Sequence, residues 1–344
     1  MSLRTVGHTL SASHHRPGRH RRGRPLRLAG VVALSLSGLL LASTSTNLMV
    51  EQVEKTNTAA YGQKVHITEG TINVTRTGGT GPAIVLLSGL GTPAPGLDFA
   101  PLIRELEGYQ VIAVEGFGYG YSDMTARPRT IENISEELHE VLSTLGVRAP
   151  YTLIGHSIAG FSTLYYASKY PREVSAVIGI DPTVPASKAT TSGTPAPAET
   201  AAADYSWAHI PSTMGLVRWA TALGYGEPGG DSFTPAEREH MRQMTSWNFG
   251  NQAVTDETLR VGENATKLQD VRYPDNLPVL DFLSRDTMQE QPDWYAAHER
   301  QLANVTHHEL VVLEGDHYLH WTQSKAMAKT ITEFLGRSGV KQGV

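Results

Sequence analysis

The chain predicts an α/β domain built on a mostly parallel sheet, with a helical cap set into it. Three observations carry that expectation. From Gln63 onward, short apolar runs alternate with helical patterns, the rhythm of strands joined by crossover helices on both faces of a sheet. The apolar run from Tyr151 ends in Gly155-His156-Ser157 and passes directly into Ile158-Ala159-Gly160, a strand–turn–helix setting that presents a serine hydroxyl to a pocket. Between Asp181 and Pro278 the alternation gives way to helical patterns alone.

Each element has its own signal. Lys64–Glu69 and Thr71–Thr75 flank a glycine and read as a hairpin. Ala83–Ser88 is a buried strand, followed by a Gly-rich loop and a helix around Phe99–Leu106. Tyr109–Glu115 is the next strand, and Ile131–Leu145 an amphipathic helix behind a capping Thr130. Thr152–Gly155, the elbow helix to about Tyr170 and the strand Val174–Ile180 follow. Residues 182–277 then form the cap, opened by the Pro-, Ala-, Ser- and Thr-rich linker Pro182–Thr200. Its helical stretches are Trp207–Leu223, Pro235–Trp247 and Thr255–Leu268, and apolar residues such as Trp207, Met214, Leu216, Trp219 and Met241 need something to cover. The core resumes over 278–337, with strands Pro278–Ser284 and Glu309–Leu313 and helices Asp293–Leu302 and Gln323–Leu335. No internal repeat is visible.

The first 50 residues are of another kind. No acidic residue precedes Glu51, whereas Arg4, Arg16, Arg19, Arg21, Arg22, Arg24 and Arg27 cluster in a basic tail over 1–27. His14, His15 and His20 belong to that solvated tail. The stretch 28–50 is uncharged and almost wholly apolar to Ala42. About 15 apolar residues fit a cleavable signal peptide, and about 20 would span a bilayer. Ala42-Ser43-Thr44 is a poor cleavage site and Arg21-Arg22 a weak twin-arginine match, so a signal-anchor leads and a signal peptide is the alternative. In both, the arginines stay inside and the folded domain lies outside. The formal net charge of the 344 residues is −5. Without the basic tail the remainder is distinctly acidic, which argues against a nucleic-acid partner. The chain has no cysteine, which excludes disulfides, thiol catalysis and thiolate zinc sites without fixing the compartment.

A serine hydroxyl is a weak nucleophile that needs a base in hydrogen-bond reach and a group to orient the base. Asp286, in Leu283-Ser-Arg-Asp286, and His317, in Glu314-Gly-Asp-His317-Tyr-Leu-His320, follow the last two strands. Together with Ser157 they would meet at the carboxyl edge of the sheet, where open α/β sheets hold ligands. Asp181, at the end of an earlier strand, competes with Asp286 for the acid's role. Asp281 lies inside its strand. The backbone N–H groups of Ile158 and of Leu90, in Ser88-Gly89-Leu90-Gly91, are candidate oxyanion donors. Gly89, His156 and His320 are candidate substrate-binding residues.

The Gly-His-Ser-Ile-Ala-Gly elbow, the Ser-Gly-Leu-Gly loop, Glu115-Gly-Phe-Gly-Tyr-Gly-Tyr-Ser-Asp123 and Gly-Asp-His-Tyr-Leu-His resemble the α/β-hydrolase superfamily. More narrowly, they are similar to bacterial α/β hydrolases with an N-terminal membrane segment. The likeness runs from about Val65 to Leu335 and is weakest across the cap. It implies the α/β-hydrolase fold, with the cap after the sixth strand, the chain order Ser…Asp…His and hydrolysis. Ser88 stands where the wider family has His, and Glu115 where it has Asp. The reading is a serine hydrolase acting on a small or medium carboxylic ester, or an amide, with no metal or organic cofactor. Prolyl-type aminopeptidase, perhydrolase or carbon–carbon hydrolase chemistry and a slow-turnover sensor are the alternatives. The aminopeptidase would need cap carboxylates, such as Glu227, Asp231, Glu237 or Glu239, to hold an amine. Specificity, the role of the cap and the oligomeric state lie beyond the sequence.

Overall fold

A computed structural model describes residues 23–185 and 206–340. The basic tail up to Arg22, with its three histidines, and most of the Pro-rich linker lie outside the described residues. The chain forms two units, Met1–Ala42 and Ser43–Val344. Helix α1 covers Gly23–Asn57. Its stretch from Leu28 is long and apolar enough to cross a membrane, and Leu28, Val31, Leu34 and Leu39 stand exposed on it.

The second unit is organised by an eight-stranded sheet of order β1-β2-β4-β3-β5-β6-β7-β8. β1 (Gln63–Ile67) and β2 (Gly70–Arg76) form the expected hairpin, and β2 pairs antiparallel with β4 (Gln110–Glu115). From β4 onward every pairing is parallel, through β3 (Ala83–Leu87), β5 (Tyr151–His156), β6 (Val174–Ile180), β7 (Val279–Ser284) and β8 (His308–Leu313). The central strands are apolar throughout because helices cover both faces. Successive residues alternate between two cores. Val85, Leu87, Ile112 and Val114 face one cluster; Ile84, Leu86, Val111 and Ala113 face the other, as the two-residue period requires.

On the first face lie α4 (Ile131–Thr144), α5 (Ala159–Lys169) and α9 (Gln252–Leu268). Thr130 caps α4, accepting from the Asn133 N–H at 3.3 Å. On the second lie α3 (Ala100–Glu105), after the short α2 (Pro95–Asp98), and α13 (Ser324–Arg337). Three further helices end the core: α10 (Arg285–Glu290), α11 (Trp294–Gln301) and α12 (Leu319–Thr322). The cap follows β6. It holds a 3₁₀ turn (Ser206–His209), α6 (Ile210–Thr213), α7 (Leu216–Ala222), α8 (Pro235–Asn248) and then α9. Met241, Met244, Trp247 and Phe233 are buried with Ala94 and give it a small core of its own. Met241 is covered as expected. Trp207, Leu216 and Trp219 are exposed, against the expectation of cover.

Glu115 ends β4 with its carboxylate fully buried. It accepts from Tyr61 Oη at 2.5 Å, Asn73 Nδ2 at 2.9 Å and the N–H groups of Gly96 at 3.1 Å and Tyr121 at 2.8 Å. Three segments distant in sequence, and the turn just after β4, are thereby tied to one side chain. Gly120, at φ +54°, could not carry a Cβ, which would stand 1.8 Å from Glu115 Oε2. Glu115→Ala leaves the Gly96 and Tyr121 N–H groups without an acceptor and takes the shorter bond from Tyr61 Oη and Asn73 Nδ2; it is expected to cost about 3–5 kcal/mol. Denaturant unfolding reads this directly; a loss below about 1 kcal/mol would show that the hub is dispensable.

Candidate active site

Ser157 sits between β5 and α5 at φ +55°, a left-handed conformation that costs a non-glycine residue about 1–3 kcal/mol. Its neighbours make the turn possible. A Cβ on Gly155 would meet Ala159 O at 2.9 Å, and one on Gly160 would meet Thr183 O at 2.5 Å. Ser157 N–H still donates to Ile180 O at 3.1 Å, and Ser157 O accepts from Gly160 and Thr183 N–H. The strained serine is thus held by hydrogen bonds on both sides. Ile158 is the N-cap of α5, so its N–H belongs to the helix end where donors lack an intrahelical acceptor. Gly89 packs directly on the elbow: a Cβ there would lie 2.8 Å from His156 Nδ1 and 3.2 Å from Ser157 Cβ. Leu90 follows in a tight turn closed by Thr92 N–H donating to Gly89 O at 3.3 Å.

Asp181 ends β6, one strand over, in a second left-handed conformation at φ +43°. Its carboxylate is fully buried and four donors meet it. Oδ1 accepts from Ser284 N–H at 3.0 Å and Trp294 Nε1 at 2.8 Å. Oδ2 accepts from Thr287 Oγ1 at 2.6 Å and from His317 Nδ1 at 2.6 Å. Burial pushes the Asp181 pKa up, but the His317, Thr287 and Ser284 bonds outweigh it and hold the carboxyl below its ordinary value.

The acid beside His317 is therefore Asp181, and the expectation for Asp286 is corrected. The reason is local. Ser284 ends β7 and also caps α10, accepting from Thr287 N–H at 3.1 Å. With no loop between strand and helix, Asp286 falls on the outer side of the first turn and is exposed. Thr287 falls on the inner side, where its hydroxyl reaches Asp181. Trp294 and Thr287 carried no sequence signal. Asp181 did, as an Asp directly after an apolar strand.

His156 and His320, expected as substrate-binding residues, lie beside and behind His317. Both are buried and support the site from behind. His156 Nε2 donates to the His317 carbonyl at 3.1 Å, which holds the backbone of His317. Its ring packs 4.8 Å from that of His317 and 4.6 Å from that of His320. His320 Nε2 donates to Asp98 Oδ2 at 2.7 Å, and Trp321 Nε1 to Oδ1 at 2.9 Å. Asp98, His156 and His320 bring ligand-type atoms within 4.8 Å of one another.

Two cavities lie near the loops around the elbow, and only the smaller is lined by elbow residues. One of about 70 Å³ lies behind Ser88 and Ile158. Its wall holds the buried Arg129–Glu137 pair at 2.6 Å. It also holds Glu257, whose carboxyl burial pushes up despite the nearby Arg129. Tyr119 links the layers, donating to Glu257 Oε2 at 2.9 Å and accepting from Gly91 N–H at 3.4 Å. The other, about 500 Å³, starts at Gly91-Thr92-Pro93 and runs under the cap along Trp207, Pro211 and Phe249. Of the cap carboxylates an amine might need, Glu237 is paired with Arg104 at 2.7 Å and Glu239 with Arg242 at 2.6 Å.

Burial pushes the His156 pKa well below its ordinary value, and the neighbouring His320 and His317 push it the same way. A histidine neutral in the folded state and titrating near 6.5 when unfolded favours unfolding as pH falls below that value, and has no effect above it. The melting temperature is expected to fall between pH 7.5 and 5.5, with His156→Gln flattening the slope. An unchanged slope in that variant would mean that His156 is not the group responsible.

The alpha/beta hydrolase fold family model matches residues 82–335, most of the chain. The uncharacterized protein YbdG of Bacillus subtilis is 27% identical over 319 residues, covering 89% of this chain and 96% of its own. Lipase 3 of Moraxella is 29% identical over 170 residues, covering 45% of this chain and 51% of its own. Among solved structures, Cfl2 of Burkholderia cenocepacia superposes with a TM-score of 0.61 at 18% identity, over 79% of this chain and 94% of that one, a likeness of fold. With its mostly parallel sheet, its serine elbow and a match that spans both halves of the core, the chain belongs to the α/β-hydrolase family.

Proposed function

We propose that the protein is a serine hydrolase that cleaves carboxylic esters through an acyl-enzyme, with Ser157 as nucleophile, His317 as base and Asp181 as the acid that orients it. The observation that carries this is the pairing of His317 Nδ1 with a buried, four-fold bonded Asp181, at the same sheet edge as a serine held at φ +55°. The Nδ1 bond leaves His317 Nε2 to take the Ser157 proton. The alkoxide then attacks the ester carbonyl, and the N–H groups of Ile158 and Leu90 receive the developing oxyanion. His317 returns the proton to the leaving alcohol, and water repeats the sequence to release the acid. Asp181 holds the productive tautomer and stabilises the imidazolium. We further propose that the apolar part of α1 anchors the protein in a membrane with the hydrolase domain outside. Support for this comes from its length, its exposed apolar side chains and the basic tail before it. With Glu237 and Glu239 both paired to arginines, the ester reading gains over an aminopeptidase.

The test is hydrolysis of a p-nitrophenyl ester series, acetate to palmitate, by the full chain in detergent. Ser157→Ala is expected to lose about 10⁴-fold or more in kcat, and Asp181→Asn about 10⁴-fold. Asp286→Asn should stay within about twofold, as an exposed side chain away from the site. Loss in Asp286→Asn but not in Asp181→Asn would reverse the assignment. No turnover with any ester would sink the esterase reading.

A further inference from the structure

The cap segment from the 3₁₀ turn through α6 and α7 to the turn after it exposes large apolar and aromatic side chains. Trp207 is 64% exposed, Trp219 62%, Leu223 78% and Tyr225 70%. This face is fastened to α1. The Arg218 guanidinium grips both oxygens of Glu54, at 2.6 and 2.9 Å, and its Nε donates to Asn47 Oδ1 at 2.8 Å. Asn47 Nδ2 donates to Ser212 O at 3.0 Å, Ser43 Oγ to Met214 O at 2.8 Å, and Trp219 Nε1 to Ser43 Oγ at 3.1 Å. Ser43, Asn47 and Glu54 thus form one polar stripe of the helix, turned to the cap. Its other side keeps Leu48, Met49 and Val53 exposed.

The position of that stripe along the helix is informative. A bilayer core takes about 20 helical residues, and counted from Leu28 that length ends at Asn47. The cap is therefore bonded to α1 at the residues where the span leaves hydrocarbon. Tryptophan and tyrosine favour that depth, with an apolar ring in the lipid and a polar edge in the headgroups. The 500 Å³ cavity opens beside the same face: Trp207, Phe249 and Leu259 line it and are all substantially exposed. Gly91, Thr92 and Pro93 also line it, beginning two residues after the glycine that packs on Ser157.

We propose that the α6–α7 face of the cap lies in the interfacial layer of the bilayer spanned by α1, and that the cavity draws the acyl chain of a lipid ester from that layer to Ser157. The substrate class is a membrane-resident long-chain ester. The acyl carbonyl carbon bonds to Ser157 Oγ as its bond to the alcohol oxygen breaks. The alcohol leaves with the serine proton, and water then frees the fatty acid. The substrate part of this inference rests on the Ser157 reading above; the docking part does not.

The full chain, reconstituted in phosphatidylcholine vesicles, provides both tests. Brominated phosphatidylcholine is expected to quench the tryptophan fluorescence, and Trp207→Phe/Trp219→Phe to remove most of that quenching. Quenching that is absent, or unaltered in the double variant, overturns the docking whatever the enzyme hydrolyses. Trp219→Glu/Leu223→Glu is expected to lower hydrolysis of a long-chain ester carried in the vesicles by about tenfold, while p-nitrophenyl acetate turnover stays within about twofold. Equal loss on both esters, or on neither, overturns delivery from the bilayer. If wild type cleaves the soluble ester but not the vesicle ester, the lipid substrate fails and the serine-hydrolase reading stands. If neither ester is cleaved, both activity readings fail and the quenching alone decides the docking.

Discussion

The candidate site depends on the Asp181 carboxylate and on how completely it is satisfied. A buried anion is costly unless every lone pair finds a donor. Here the donors come from three places: Ser284 and Thr287 at the end of β7, Trp294 on α11, and His317 after β8. One side chain at the end of β6 therefore gathers the ends of two further strands. The left-handed backbone at Asp181 is affordable only inside such a network, and the same holds for Ser157 one strand away, which is held through Ile180 and Thr183. Strain and hydrogen bonding belong together at this edge of the sheet.

The fold was largely legible in the sequence because its information is local. Strand β6 begins and ends where the apolar run does, and the Thr130 cap marks the start of α4. The elbow was legible for the same reason, since small residues must surround a serine forced into a tight turn. The partner of His317 was not legible. Two aspartates follow two parallel strands, and the pattern says nothing of which way each points. The decision lies in the junction Ser284-Arg-Asp-Thr287, where strand passes into helix with no loop and turns Asp286 outward. The burial of His156 and His320 was hidden for a similar reason. Histidine is amphipathic, and only the packing of α2 and α12 reveals that Asp98 waits behind it.

The cap shows a different limit. Apolar residues in a helical pattern predict burial, and Met241 and Trp247 obey. Trp207, in the 3₁₀ turn, and Trp219, whose indole N–H reaches Ser43 on α1, do not. The cap is bonded to a membrane-length helix at Ser43, Asn47 and Glu54.

The contact between Thr287 and Asp181 has an evolutionary side. The Thr287 hydroxyl stands 2.6 Å from the carboxylate oxygen that His317 also uses, so the ends of β6 and β7 reach the same point in space. An aspartate at 287 facing a neutral residue at 181 would offer nearly the same negative charge to an unmoved imidazole. The acid's address could thus pass between neighbouring strands through two exchanges, with Thr287 already placed to receive it.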